Sequence, residues 1–259
     1  MKLNFLAIIL TASLVASAPL SPQFTTDNEK RNTNLNTLLS IILEHLPNVH
    51  GAIEGVEKTI TAFNNVLSVL TGVSSTYNEL GGACTAYTVI FSRGTCDNGN
   101  TGVLTGPPFF MALKELVGSS YVTIQGVNNY TASVENYLAG GDPVGSASMA
   151  STINSAYAAC PKTHLTVAGY SQGGQVLHNA LGLLAPETAK WISSVVIFGD
   201  PHSGKVIPNV DASKVDTVCH KDDDVCVNGD IILPTHLTYA RDAQAAAAFV
   251  VAAAKASKA

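Results

Sequence analysis

A serine held between two glycines is the residue in this chain best suited to chemistry. Gly169-Tyr170-Ser171-Gln172-Gly173 follows an apolar run at residues 165–168 and precedes a helical pattern at residues 172–184. In a strand-to-helix turn of this G-x-S-x-G type the serine backbone is strained and the flanking positions leave no room for side chains. The hydroxyl is lifted to the sheet edge beside a helix N-terminus, where backbone amides favour negative charge. The same five residues are frequent in ordinary glycine-rich turns, so the flanking strand and helix carry the reading.

A serine hydroxyl needs a base to become a nucleophile. On such a scaffold the chain order is serine, then an acid, then histidine. Histidines stand at 45, 50, 164, 178, 202, 220 and 236. The first three precede the serine, His178 lies on the helix leaving the turn, and His202 comes too early to follow an acid. His220 sits before the acids in a cysteine-bounded loop, so order favours His236. A solvated surface histidine is the plainer reading of that residue. The acid comes from Asp222, Asp223 or Asp224, all between Cys219 and Cys226. A disulfide there would close a small loop and hold one carboxylate against the imidazole, fixing its tautomer and stabilising the imidazolium. Chain order does not choose among the three.

These residues need a rigid frame. Short apolar runs at 87–91, 121–127, 165–168, 192–198 and 215–218 alternate with helical patterns at 109–117, 146–159, 172–184 and 239–256. That alternation implies a parallel sheet covered on both faces. The expected fold is a three-layer α/β/α-hydrolase with a central, mainly parallel five-stranded sheet over residues 81–259. Residues 18–80 form an α-helical N-terminal extension. Its first part, 19–34, is polar and reads as a flexible entry. A helix follows at 35–46, ended by Pro47. A second carries Ile53, Val56, Ile60, Phe63, Leu67 and Leu70 on one stripe and stops near Gly72. The plainer reading of this pair is a helical hairpin packed on the main domain. The sharper one is a lid or pro-segment over an apolar site.

The chain has 259 residues and a formal net charge of -5. That balance argues against a nucleic-acid surface, which needs a clustered basic face. Lys2 and the apolar run at 5–15 read as a signal peptide cut after Ser17, too short for a stable membrane span. Secretion to the extracellular space follows, and with it permissible disulfides. The five cysteines, at 84, 96, 160, 219 and 226, leave at least one unpaired within the chain. Asn129-Tyr130-Thr131 is a glycosylation sequon, which makes a glycoprotein conceivable once export is granted.

With these motifs in view the chain resembles the cutinase family of fungal serine esterases over about residues 84–255. The resemblance rests on Phe91-Ser92-Arg93-Gly94-Thr95, Ile124-Gln125-Gly126-Val127, Gly169 to Gly174, the Cys219–Asp223–Cys226 spacing and Pro234-Thr235-His236-Leu237. It implies Asp223 as the acid beside Ser171 and His236. It implies the pairs Cys84–Cys160 and Cys219–Cys226, leaving Cys96 as the odd thiol. It implies an oxyanion hole from the Gln172 amide and from Thr95, such donors contributing about 3 kcal/mol each to transition-state stabilisation. It also implies apolar lips that include Ile231, Ile232 and Leu237. No metal or organic cofactor is implied. The substrate would be cutin, an insoluble polyester of hydroxy fatty acids, or a small ester, handled by a monomer.

This chain departs from the family pattern in three places. Asp222 stands where the family usually has glycine, Asp230 lies in a segment usually more apolar, and the helices before residue 73 exceed a minimal member. The nearest rival function is acetylxylan or other short-chain ester hydrolysis. A rival of another class is a catalytically silent secreted protein that binds a surface.

Overall fold

The computed structural model describes residues 23–257, with side chains from residue 34 onward. The expected signal peptide at 1–17 lies outside the described residues. Helix α1 runs Gln23–Glu44, so the polar stretch expected to be a flexible entry is helical from residue 23. No proline or glycine interrupts residues 23–46, and the apolar positions Leu35, Leu38 and Ile42 are buried. A two-residue strand, β1 (Gly51–Ala52), leads directly into α2 (Ile53–Thr71). Helix α2 buries Ile53, Ile60, Phe63 and Leu67, while Leu70 at the end of the stripe is exposed. It stops where Gly72 turns left-handed at φ 61° and returns its N–H to Ser68 O.

The main domain follows as β2 (Tyr87–Ser92), α3 (Gly106–Val117), β3 (Val122–Gly126), α4 (Val134–Leu138), α5 (Pro143–Ala159), β4 (His164–Tyr170), α6 (Gln172–Gly182), α7 (Pro186–Trp191), β5 (Ser194–Phe198), β6 (Val215–Val218), β7 (Ile231–Ile232) and α8 (Ala243–Ala256). Five strands form one sheet in the order β3-β2-β4-β5-β6, every neighbour parallel. Alternation along each strand builds two cores. Val89, Phe91, Ala168, Tyr170, Val196 and Phe198 face α1, α2, α3 and α8. Ile90, Leu165, Val167, Val195 and Ile197 face α5, α6 and α7. The short helices α4 and α7 lie in segments where the sequence shows no long apolar period.

Strand order places the site. From β2 the chain winds one way to β3 and then the other way to β4. The loops that leave the C-terminal ends of β2 and β4 therefore diverge, and ligands of open α/β sheets bind at such a point. Those two loops carry Thr95 and Ser171. At the opposite, entry edge a disulfide joins Cys84, just before β2, to Cys160, just before β4. A second joins Cys219 to Cys226 after β6. Cys96 is free. Both pairings fit an oxidising compartment. Among the described residues no helix is long and apolar enough to cross a membrane.

Candidate active site

Ser171 sits at the tip of the β4–α6 turn with φ 55° and ψ -122°. That left-handed backbone is strained for a residue with a side chain and persists only because the surroundings dictate it. The flanking glycines show how. A Cβ on Gly173 would lie 2.1 Å from Ser92 O, and one on Gly169 would lie 2.6 Å from Gly173 O. The Ser92 hydroxyl donates to Gly173 O at 2.7 Å and locks the turn against β2.

His236 reaches the serine from a 3₁₀ turn, Pro234–Leu237. Its Nε2 lies 2.9 Å from Ser171 Oγ, and its Nδ1 lies 2.8 Å from Asp223 Oδ2. Ser171, His236 and Asp223 are each at most 3% exposed. The Tyr170 ring stacks on His236 with centroids 5.2 Å apart, and its hydroxyl donates to His236 O at 2.8 Å. Asp223 is the member of the acidic run that turns inward. It caps the 3₁₀ turn Asp224–Val227 by accepting from Val225 N at 3.2 Å. Asp222 is exposed with φ 66°, the conformation that glycine favours. Asp224 Oδ2 accepts from Ile231 N at 2.9 Å.

Tyr239 carries no sequence motif, yet it is fully buried and its hydroxyl donates to Asp223 Oδ2 at 2.6 Å. Burial alone would push the Asp223 carboxyl up. The bond and charge of His236, the Tyr239 hydroxyl and the Val225 amide outweigh it and hold the carboxyl below the usual range. The same burial, and the carboxylate beside it, push the Tyr239 hydroxyl up, so it stays a donor. Among the other histidines, His178 on α6 is turned toward Asp200, with Nε2 2.9 Å from Oδ2.

The second wall of the site comes from the loop after β2. Thr95 is 8% exposed and its hydroxyl has no partner among the described residues. The Gln172 side chain is fully engaged: Nε2 donates to Ser133 O at 2.6 Å and Oε1 lies 2.8 Å from the Tyr130 hydroxyl. Arg93 fixes this loop by donating to Asp97 O at 2.9 Å and Tyr130 O at 2.7 Å. Asp97, unremarked in the sequence, is buried beside Thr95. Burial pushes its carboxyl up to about 7, although the Gly94 amide and the Arg93 charge pull it down.

A cavity of about 20 Å³ separates the two walls, room for water and nothing larger. Thr95, Asp97, Ser171 and His236 line it together with Ile232 and Leu237. Ile231, expected beside them, is 38% exposed and lies outside that lining. Helix α2 closes the cavity with Ile53, Ile60 and Asn64. Asn64 Nδ2 donates to Cys96 O at 3.1 Å, while its Oδ1 is buried and unpartnered. The β1–β7 pairing, Gly51 to Ile232 and Ala52 to Ile231, and the Ile53 N–H to Asp230 O bond at 2.8 Å tie the start of α2 to the same rim.

A strained serine at the end of a parallel strand, with a histidine and a buried carboxylate in line behind it, is the arrangement of a serine hydrolase of the α/β-hydrolase class. The sequence profile of the cutinase family matches residues 83–254. The chain belongs to that family. A cutinase of Botryotinia fuckeliana is 52% identical over 65% of this chain and 83% of its own length. A cutinase of Hypocrea jecorina is 42% identical over 96% of this chain and 98% of its own, so that alignment includes most of the N-terminal extension. A solved Trichoderma reesei cutinase in complex with a phosphonate inhibitor superposes with TM-score 0.71 at 42% identity, covering 86% of this chain and 99% of that one.

Proposed function

We propose that this protein is a secreted, monomeric esterase that hydrolyses cutin and short acyl esters through an acyl-enzyme on Ser171. The observation that carries this reading is the in-line contact of Ser171 Oγ, His236 Nε2 and Asp223 Oδ2. His236 takes the serine proton as Oγ attacks the ester carbonyl, and returns it to the leaving alcohol. Asp223 accepts from Nδ1 throughout and stabilises the imidazolium. The developing oxyanion lies against the Gln172 amide and the Thr95 hydroxyl, which has no competing partner. Water, activated by the same imidazole, then frees the acid. Ile232 and Leu237 receive the acyl chain. The family of the relatives supports a polyester over an acetylated polysaccharide.

Helix α2 is the lid of this site. With the helix seated, the serine is 3% exposed and the cavity admits no acyl chain. Substrate entry therefore requires α2 to leave Ile60 and Asn64's present positions.

Fluorophosphonate labelling followed by peptide mapping tests the chemistry. The adduct falls on Ser171 and is lost in Ser171→Ala and His236→Ala, with kcat down by roughly 10⁴–10⁶. Activity retained in Ser171→Ala would defeat the reading. Release of hydroxy fatty acids from cutin, set beside acetate release from acetylated xylan, decides the polymer. Acetate alone would replace cutin with the polysaccharide ester.

A further inference from the structure

His220 takes no part in the proton transfer described above, yet it touches both loops that perform it. It lies in the Cys219–Cys226 loop, and its carbonyl accepts from Asp223 N at 3.2 Å. Its ring reaches out of that loop to the turn that carries His236. Nδ1 lies 3.0 Å from Thr235 O and 3.1 Å from Thr238 Oγ1. The Thr238 hydroxyl already donates to Thr235 O at 2.7 Å, so it offers His220 only lone pairs. Nδ1 must therefore donate. Nε2 faces Asp242 Oδ2 at 2.7 Å and donates as well.

The same ring lies flat on Tyr239, with centroids 4.1 Å apart and planes 19° apart. The His220 N–H donates to the Tyr239 hydroxyl at 3.0 Å, and that hydroxyl donates to Asp223 Oδ2. One side chain thus grips the residue before the base, stacks on the tyrosine that supports the acid, and is itself anchored to Asp242. The only covalent link inside these two loops is the disulfide, and it closes the acid loop on itself. Apart from the backbone between Cys226 and Pro234, no covalent cross-link among the described residues joins the acid loop to the histidine turn.

We propose that His220 is a positioning residue of the esterase reaction, holding the acid loop and the histidine turn in the register at which Asp223, His236 and Ser171 meet. This rests on the reading of those three residues as the reacting set. A base displaced by about 1 Å costs on the order of 10²-fold in rate, so a partial loss of register is readable in kcat.

Three substitutions separate the contacts. His220→Leu removes both ring donors. His220→Asn keeps an N–H near the place of Nδ1, toward Thr235. His220→Gln extends its amide toward Asp242 instead. On soluble p-nitrophenyl butyrate we expect His220→Leu and His220→Gln to lower kcat by about tenfold with KM within about twofold, and His220→Asn to recover to within about threefold of the parent. The rate of fluorophosphonate labelling of Ser171 should follow kcat. Circular dichroism and a thiol count confirm that each variant is folded with both disulfides closed. If His220→Leu does not accumulate, the contrast between Asn and Gln decides. A kcat for His220→Leu or His220→Gln within twofold of the parent, equal losses in all three, or a loss confined to KM would overturn the proposal. Activity surviving in Ser171→Ala or His236→Ala would instead overturn the reading of the site itself.

Discussion

The two walls of the cavity are built to different standards of completion. On the side of β4, β5 and the histidine turn, Ser171, His236, Asp223, Tyr239 and His220 bond one another in sequence, and Thr235 Oγ1, outside that chain of bonds, is buried without a partner among the described residues. On the side of α2 and the loop after β2, Asn64 Oδ1, Thr95 Oγ1 and Asp97 Oδ1 are buried without partners among the described residues. Each such atom costs about 1–3 kcal/mol when left unpaired. The finished wall is machinery that works in one arrangement. On the proposed reading the unfinished wall gains when something changes: an oxyanion arrives at Thr95, or α2 departs and lets water in. The chain of bonds on one side and the three unpaired oxygens lining the cavity on the other divide the site into a fixed part and a responsive part.

The sharpest way to break this contrast is at the fixed wall. Gly173→Ala puts a Cβ 2.1 Å from backbone, which cannot yield. We expect Ser171 to leave its turn and kcat on p-nitrophenyl butyrate to fall by more than about 10³. A smaller loss would mean that the elbow is pliant. On the responsive wall Thr95→Val keeps the shape and removes the unpartnered hydroxyl, so kcat should fall about 10²-fold with folding unchanged. An unchanged kcat would remove Thr95 from the oxyanion hole.

Asp97 sharpens the contrast through pH. Its folded carboxyl sits at about 7, above its ordinary value, so the folded state holds a proton that the unfolded chain releases. The stability this contributes is full below about pH 4 and is lost as pH rises through about 7. Asp97→Asn removes that loss. In urea titrations the variant should gain on the parent by up to about 4 kcal/mol between pH 4 and pH 8. Parallel curves would show the carboxyl to be solvated. The smallest effect is expected at α2, the proposed lid. Ile60→Val trims one methylene from the closed seat, about 1 kcal/mol. That favours opening about fivefold, read as a lower KM for soluble esters at constant kcat.

Much of the fixed wall was legible in the sequence, because its signals are local. The glycine spacing around Ser171 follows from close backbone contacts, and the order of serine, acid and histidine follows from the winding of the sheet. The choice among Asp222, Asp223 and Asp224 was not legible from order. The three differ only in backbone geometry within a short closed loop, where Asp222 turns left-handed and Asp223 caps the next turn inward. Family resemblance supplied Asp223. Asn64 and Tyr239 left no mark, since each acts through contacts distant in the chain; Asp97, held by the nearby Gly94 amide and Arg93, belongs to no motif, and His220 was legible only as a rival base. The apolar stripe of α2 announced a buried face but did not choose between the body of the domain and an apolar site as what it covers. The polar start of α1 misled, because absence of an apolar period was read as absence of helix.

The disulfide between Cys84 and Cys160 lies at the edge of the sheet farthest from the chemistry. It closes a loop of 76 residues, and by chain-entropy reasoning such a link withholds about 4.5 kcal/mol from the denatured ensemble. That figure exceeds the strain of a single left-handed serine, of order 1–3 kcal/mol. The oxidant met during maturation thus underwrites a backbone distortion at the far rim that the side chains around it need not sustain alone.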